Sequence, residues 1–218
     1  MPSVLILVML AAAQAVALPR AVPYLPQTEA LCGGAAAAMV MRYWGASARP
    51  EEFAPLIDPA QDGIVTTALV ADLRARGWQA FPLRGNAAED PARHHLSRGR
   101  PVIALIEDRP SRYHYVVITA IDATSVSFHD PAIAPAQAMT RAEFERRWRA
   151  ANFWMLLLLP PGAPADQPAT PDEPELASRV AALLRSGDTA EALRVSRDAA
   201  RRSPDDPVAW DAVGTSLF

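Results

Sequence analysis

The spacing of apolar and polar positions changes part-way along this 218-residue chain, from helical to strand-like. An alanine-rich apolar segment follows Cys32 and ends at Gly45. It predicts a buried helix, because alanine is the best helix former and glycine suits the position just past a helix end. Leu69, Val70 and Leu73 mark a second helical stripe over residues 66–76, stopped by Gly77. Between these two helices, residues 49–63 are rich in proline and acid and read as a loop. Residues 78–83 read as a short strand. Asp90-Pro91 offers an N-cap followed by proline at the first helical position, which predicts a short helix through Leu96 ending near Gly99. From Pro101 on, strands dominate: residues 101–106, 113–121 and 125–130. Their connections are short, which makes them antiparallel neighbours. Thr140-Arg-Ala-Glu143 is a capping box that opens a helix through Arg149 and buries Phe144 and Trp148. Residues 153–159 are apolar throughout and predict a central strand. Helices first and an antiparallel sheet afterwards give an α+β domain.

The two ends follow other patterns. Residues 4–13 are an uninterrupted apolar run, Ala15-Val16-Ala17 is an A-x-A-like cleavage site, and no charged side chain precedes Arg20. This outlines a secretory signal peptide over residues 1–20, too short to span a membrane comfortably. The expected location is therefore exported, periplasmic or secreted, with membrane attachment only through an uncleaved N-terminal segment. Leu31 and the nearby Glu29 argue against a lipid anchor on Cys32. The main domain spans residues 21–160, and a proline-rich linker occupies 161–173. In residues 174–218, Leu176, Leu183, Gly187, Ala192, Ala199 and Pro204 fall on the 34-residue tetratricopeptide pattern. Trp210, Gly214 and Leu217 begin a second, incomplete unit. One and a half repeats bury their faces poorly. This segment is expected to dock on the main domain or on a protein partner, or to be a truncated remnant.

Composition narrows the chemistry. Half of the residues are hydrophobic, enough for a real core, and the net charge is −3, with 21 arginines and no lysine. This balance argues against nucleic acid or an anionic membrane as partner. The single cysteine excludes an internal disulfide and any multi-cysteine zinc site, and no His-Glu-x-x-His cluster occurs. No cofactor and no metal are expected.

The lone thiol is the strongest candidate for chemistry. Cys32 stands at the start of the first helix, where unpaired N–H groups and the helix dipole favour a thiolate. Gly33 and Gly34 leave room for a substrate backbone, and Gln27, five residues earlier, can offer a side-chain N–H to an oxyanion. A thiol nucleophile needs a base, and the base needs a partner that orients it. His114 lies near the start of the second strand and Asp130 at the end of the third. A hairpin of those strands brings the two together. Period two puts Val126, Phe128 and Asp130 on one face and His129 on the other. Plainer readings exist for each: a buried free thiol, a hydrogen-bonded core histidine and an ordinary Asp-Pro turn. His94, His95 and His129 read as surface or loop residues without chemistry.

Val22-Pro-Tyr-x-Pro-Gln27, Leu31-Cys32-Gly33-x-Ala35, Met41-x-Tyr43-x-Gly45, Gly99-Arg-Pro101-Val102-Ile103, His114-Tyr-Val-Val and His129-Asp130-Pro131 together resemble the bacteriocin-processing, double-glycine type cysteine peptidases. The resemblance covers residues 22–160, with the motifs in the family's order. It implies a papain-like fold, a peptide or protein substrate, Cys32 as nucleophile, His114 as general base, Asp130 as orienter and Gln27 as oxyanion donor. Two positions depart from the pattern. Gly34 stands where many members have proline, and Gln27 precedes the cysteine by five residues where papain-like enzymes usually have six. These 218 residues include no transporter domain, so the family's processing during export by an attached transporter is not expected to carry over directly. The main expectation is an exported cysteine peptidase with a helical-repeat tail for a protein partner. The alternatives are an amidase or acyltransferase on the same fold, or a non-catalytic scaffold acting through the tail.

Overall fold

The computed structural model describes residues 15–84, 91–164 and 173–202. The N-terminal apolar run, the Asp90 cap, most of the expected linker and the expected repeat positions Pro204, Trp210, Gly214 and Leu217 lie outside the described residues. In chain order the elements are β1 (Val16–Ala17), α1 (Cys32–Tyr43), a 3-10 helix (Pro50–Leu56), β2 (Ile57–Asp58), β3 (Gly63–Ile64), α2 (Thr66–Ala75), β4 (Gln79–Arg84), α3 (Pro91–Ser97), β5 (Val102–Arg109), β6 (Arg112–Ile121), β7 (Ser125–Asp130), β8 (Ala134–Thr140), α4 (Arg141–Ala150), β9 (Trp154–Leu159), α5 (Glu173–Arg185) and α6 (Thr189–Arg202). The described chain divides into two compact units on either side of the Ala163–Pro164 bond.

In the first unit an antiparallel sheet runs in the order β4-β9-β5-β6-β7-β8, and β1 pairs with the far end of β6. β9 is buried along its whole length because it lies between β4 and β5, as its unbroken apolar run requires. Period two sorts the side chains into two cores. Ile103, Tyr115, Val117, Leu156 and Leu158 face α1, α2 and the 3-10 helix, with Met39, Phe53, Leu69 and Leu73 packed on them. Val102, Ala104, Val116, Ile118, Phe128 and Met155 face α3 and α4, where Leu96, Phe144 and Trp148 cover them. The result is α+β, helices on both faces of one antiparallel sheet.

α1 lies close to its neighbours because its inner side chains are small. Ala35 through Ala38 are fully buried. A Cβ at Gly34 would stand 2.8 Å from the Cβ of Phe53 and 3.0 Å from the carbonyl oxygen of Pro50. The 3-10 helix thus occupies the space that any side chain at position 34 would need.

The structure departs from the sequence reading in several places. Residues 49–63 are not an open loop. Phe53 anchors the 3-10 helix in the core, and β2 and β3 form a two-stranded ribbon with Ile57 opposite Ile64. The Arg49 backbone N–H donates to Glu52 Oε1 at 3.1 Å, and proline begins the helix where its missing N–H costs nothing. Edge strand β8 had no apolar rhythm to announce it, because its inward positions are Ala134, Gln137 and Met139, of which only Met139 is large and apolar. Only half of the capping box forms. Thr140 Oγ1 accepts the Glu143 N–H at 3.3 Å, while the Glu143 carboxylate binds Arg146 and Arg147 instead of reaching back. His95 is a core residue, 1% exposed, and not a surface one.

The second unit, as far as it is described, is one helical hairpin. Leu176, Val180, Ala192 and Val195 form its seam, Gly187 turns the chain at φ 80°, and Asp188 caps α6 by accepting the Glu191 N–H at 3.1 Å. Among the described residues no helix is long and apolar enough to cross a membrane.

Candidate active site

Cys32 is the first residue of α1. The preceding cap residue, Leu31, has no side chain to engage the first-turn N–H groups, and the first turn carries no acid. Those groups therefore remain available to an anion. The sheet supplies the rest. β7 has its last pairing with β6 at His129 opposite Val117, whereas β6 continues to Arg112. The unpaired stretch of β6 leaves an open edge, and the start of α1 sits against it. Here Cys32, His114 and Tyr115 line one cavity, where the His114 ring and the Tyr115 backbone N–H both favour the thiolate.

His114 Nε2 lies 2.7 Å from Asp130 Oδ1. The carboxylate accepts, so Nε2 carries the proton and Nδ1 is the nitrogen left for the thiol. Asp130 is 6% exposed and also accepts the Ala132 N–H at 2.8 Å, while its backbone carbonyl takes the Ile133 N–H. The Asp-Pro turn and the carboxylate bonded to His114 are thus one structure. Asp130 and His114 lie on the same sheet face, with Val126, Phe128 and Val116.

The charges reinforce the geometry. Burial pushes the Cys32 thiol up, but the His114 hydrogen bond and charge, with the N–H groups of Tyr115 and Gly33, outweigh it and bring the thiol below its usual range. Burial pulls His114 down, yet hydrogen bonds to Asp130 and Cys32 and their charges raise it to about 9. Burial likewise opposes ionisation of Asp130, and the His114 interaction with the N–H groups of its turn holds the carboxylate below the ordinary range. The low-pKa member is therefore the thiol and the high-pKa member the imidazole, which is the order a thiolate–imidazolium pair needs.

Gln27 lines the same cavity as Cys32 and His114, a space of about 380 Å³ lined also by residues 61–66, 108–109 and 111–113, with Arg112 paired to Asp62 at 2.7 Å. Its Oε1 is buried with no hydrogen-bond partner among the described residues. All four residues singled out in the sequence are thus brought to one place. Three others were not foreseen. Tyr115 packs its ring against Gly33, where a Cβ would stand 3.1 Å from Cε2, and donates its hydroxyl to the Ile64 carbonyl at 3.0 Å. Tyr24 donates to the Asp130 carbonyl at 3.2 Å, and His129 Nε2 donates to the Val22 carbonyl at 3.0 Å. The available signal was the strand period, which turns His129 away from Asp130 and toward something else.

Residues 19–154 match the Peptidase_C39-like family. The chain belongs to that family. Members of the Peptidase_C39-like family are cysteine peptidases, and this chain is an enzyme of that type. Three solved structures share the fold. The peptidase domain of Streptococcus ComA, a bifunctional ABC transporter, matches with 17% identity and TM-score 0.56 over 64% of this chain and 99% of that one. A C39-like peptidase from Bacillus anthracis matches with 18% identity and TM-score 0.56 over 67% and 98%. A double-glycine motif protease from an AMS/PCAT transporter, in complex with the leader peptide, matches with 22% identity and TM-score 0.50 over 66% and 97%. No curated protein matches the chain in sequence.

Both departures from the family's motif have local causes in this C39-like domain. Glycine at 34 is required by the 3-10 helix packed on it. The shorter connector between Gln27 and Cys32 turns tightly, with the Leu31 N–H on the Thr28 carbonyl and Ala30 at φ 62°. Among the described residues no group of three or more His, Cys, Asp or Glu side chains could hold a metal ion.

Proposed function

We propose that the chain is an exported cysteine peptidase that cleaves a peptide bond through an acyl-enzyme, with Cys32, His114, Asp130 and Gln27 as its working residues. The observation that carries this reading is the convergence of Cys32, His114 and Gln27 on one cavity, with the His114 ring held by Asp130 Oδ1 at 2.7 Å. The thiolate attacks the amide carbonyl carbon, and the displaced electron pair goes to oxygen. Gln27 Nε2–H and the Cys32 backbone N–H hold that oxyanion. The imidazolium gives its Nδ1 proton to the amine as the C–N bond breaks, which leaves a thioester. Water then attacks the thioester with His114 taking its proton, the acid departs, and the thiolate–imidazolium pair is restored. Asp130 keeps the ring turned throughout.

A peptide substrate is supported by the family and by the related protease that was solved with a leader peptide. Export is supported by the apolar run over residues 4–13 and the A-x-A-like site after it. A protein partner for the tail is supported by the α5–α6 hairpin and the tetratricopeptide spacing of its residues. Iodoacetamide alkylation of Cys32 against pH, in the full chain and in His114→Ala, tests the pair. The expected result is a wild-type thiol reactive well below the free-thiol range and a variant that titrates near about 8.5. A wild-type thiol that also titrates near that value overturns the reading. A peptide library set against a panel of small amides separates peptide cleavage from amidase or transfer activity.

A further inference from the structure

No side chain among the described residues holds the Gln27 amide at its Oε1 end, although that end is buried in the cavity. Its position relative to Cys32 must come from the backbone that carries it. That backbone is the strap of residues 22–27, which is tied to the end of β7 at three points. His129 Nε2 donates to the Val22 carbonyl at 3.0 Å, the Tyr24 hydroxyl donates to the Asp130 carbonyl at 3.2 Å, and the Gln27 N–H donates to the Pro131 carbonyl at 2.9 Å. Pro23 and Pro26 fix two of the strap's backbone torsions, so a displacement at one end reaches the other.

His129 is the only one of these anchors held from both sides. The Ala136 N–H donates to its Nδ1 at 3.0 Å, which leaves the ring proton on Nε2, facing Val22. The Tyr24 ring stands edge-on to it, with centroids 5.9 Å apart. We propose that His129 is a positioning residue for the oxyanion donor: through the strap it sets where Gln27 stands relative to Cys32. This inference rests on the roles proposed above for Cys32 and Gln27. It makes residues 129–131 a shared mount. Asp130 aims His114 on one face of the strand, and His129 with Pro131 aims Gln27 from the other.

Two probes separate the parts. Iodoacetamide reacts by displacement at a saturated carbon and forms no oxyanion, so it reads the thiolate alone. p-Nitrophenyl acetate acylates the same thiolate through an oxyanion, so it reads the thiolate and Gln27 together. In the full chain, His129→Ala is expected to slow acylation about tenfold to a hundredfold, the scale of a misplaced reacting group, with alkylation unchanged. In a Gln27→Ala background the same substitution is expected to add nothing, because the residue it positions is gone. His129→Gln keeps a donor toward Val22 and is expected to restore acylation. His129→Asn keeps only an acceptor for Ala136 and is not. Should His129→Ala fail to fold, Tyr24→Phe and the Gln and Asn variants carry the test, with Tyr24→Phe expected to slow acylation and spare alkylation. An activated wild-type thiol whose acylation is indifferent to position 129 overturns this inference alone. The same holds for an effect that adds fully to Gln27→Ala, or one that slows both probes equally. A wild-type thiol without activation overturns the catalytic reading beneath it.

Discussion

The two halves of the site are held by different forces. The helix half places Cys32 by close packing of small groups: Gly34 under the 3-10 helix, Gly33 under the Tyr115 ring, and the alanines of α1 against the sheet. The sheet half places His114 and Asp130 by directed hydrogen bonds at the point where β7 ends and β6 continues. Added volume should therefore damage the first half and lost polarity the second. The sulfur is where the two meet, since the N–H groups of Gly33 on one side and Tyr115 on the other both favour its thiolate.

The contrast can be broken hardest at Cys32 and His114, the groups proposed to react. Cys32→Ala and His114→Ala are each expected to lower acyl transfer from p-nitrophenyl acetate by about 10⁴-fold or more, and the double variant to lower it hardly further, because the two act as one unit. Next comes Asp130→Asn, which keeps an acceptor for Nε2–H and removes the charge. Wild-type acylation is expected to rise on an acid limb below the ordinary thiol range and to fall as His114 loses its proton near pH 9. In Asp130→Asn the alkaline limb should move down by about one unit or more, since the carboxylate no longer favours the imidazolium. A pH–rate profile with an unmoved alkaline limb would show that the charge does not reach the ring.

On the packing side, Gly34→Ala should cost about 1–3 kcal/mol in urea unfolding, because its Cβ would meet backbone and a buried ring that cannot both give way. Unchanged stability would mean that the 3-10 helix shifts freely. The smallest effect is expected for Tyr115→Phe, which loses one hydroxyl bond to the Ile64 carbonyl and should cost about 1 kcal/mol, with alkylation of Cys32 unaffected. A change in alkylation there would tie the ribbon wall to the thiol more closely than a single hydrogen bond does.

What could be read in the sequence follows the same division. Cys32 at a helix start and the strands around His114 and Asp130 were legible because alanine runs, apolar runs and period two are local signals. The 3-10 helix was not, since a single buried residue, Phe53, anchors it amid prolines and acids. Strand β8 was not either, because Met139 is the one large apolar side chain it turns to the core, and one residue makes no period. The ties from Tyr24 and His129 end on backbone carbonyls more than a hundred positions away along the chain, and a carbonyl carries no residue signature. Gly34 looked like a departure from a pattern, and its reason became visible only with the neighbour that fills its space.

The shared mount at residues 129–131 also limits how this chain can change in length. Neighbouring residues on a strand point to opposite sides, so inserting or deleting one residue within β7 would exchange the outlooks of His129 and Asp130. The carboxylate would then face the strap and the imidazole would face His114, and both alignments would fail together. The turn at residues 122–124 can lengthen without reaching either. Among relatives that keep this arrangement, length variation should collect in that turn and in the walls of the cleft, and stop at β7.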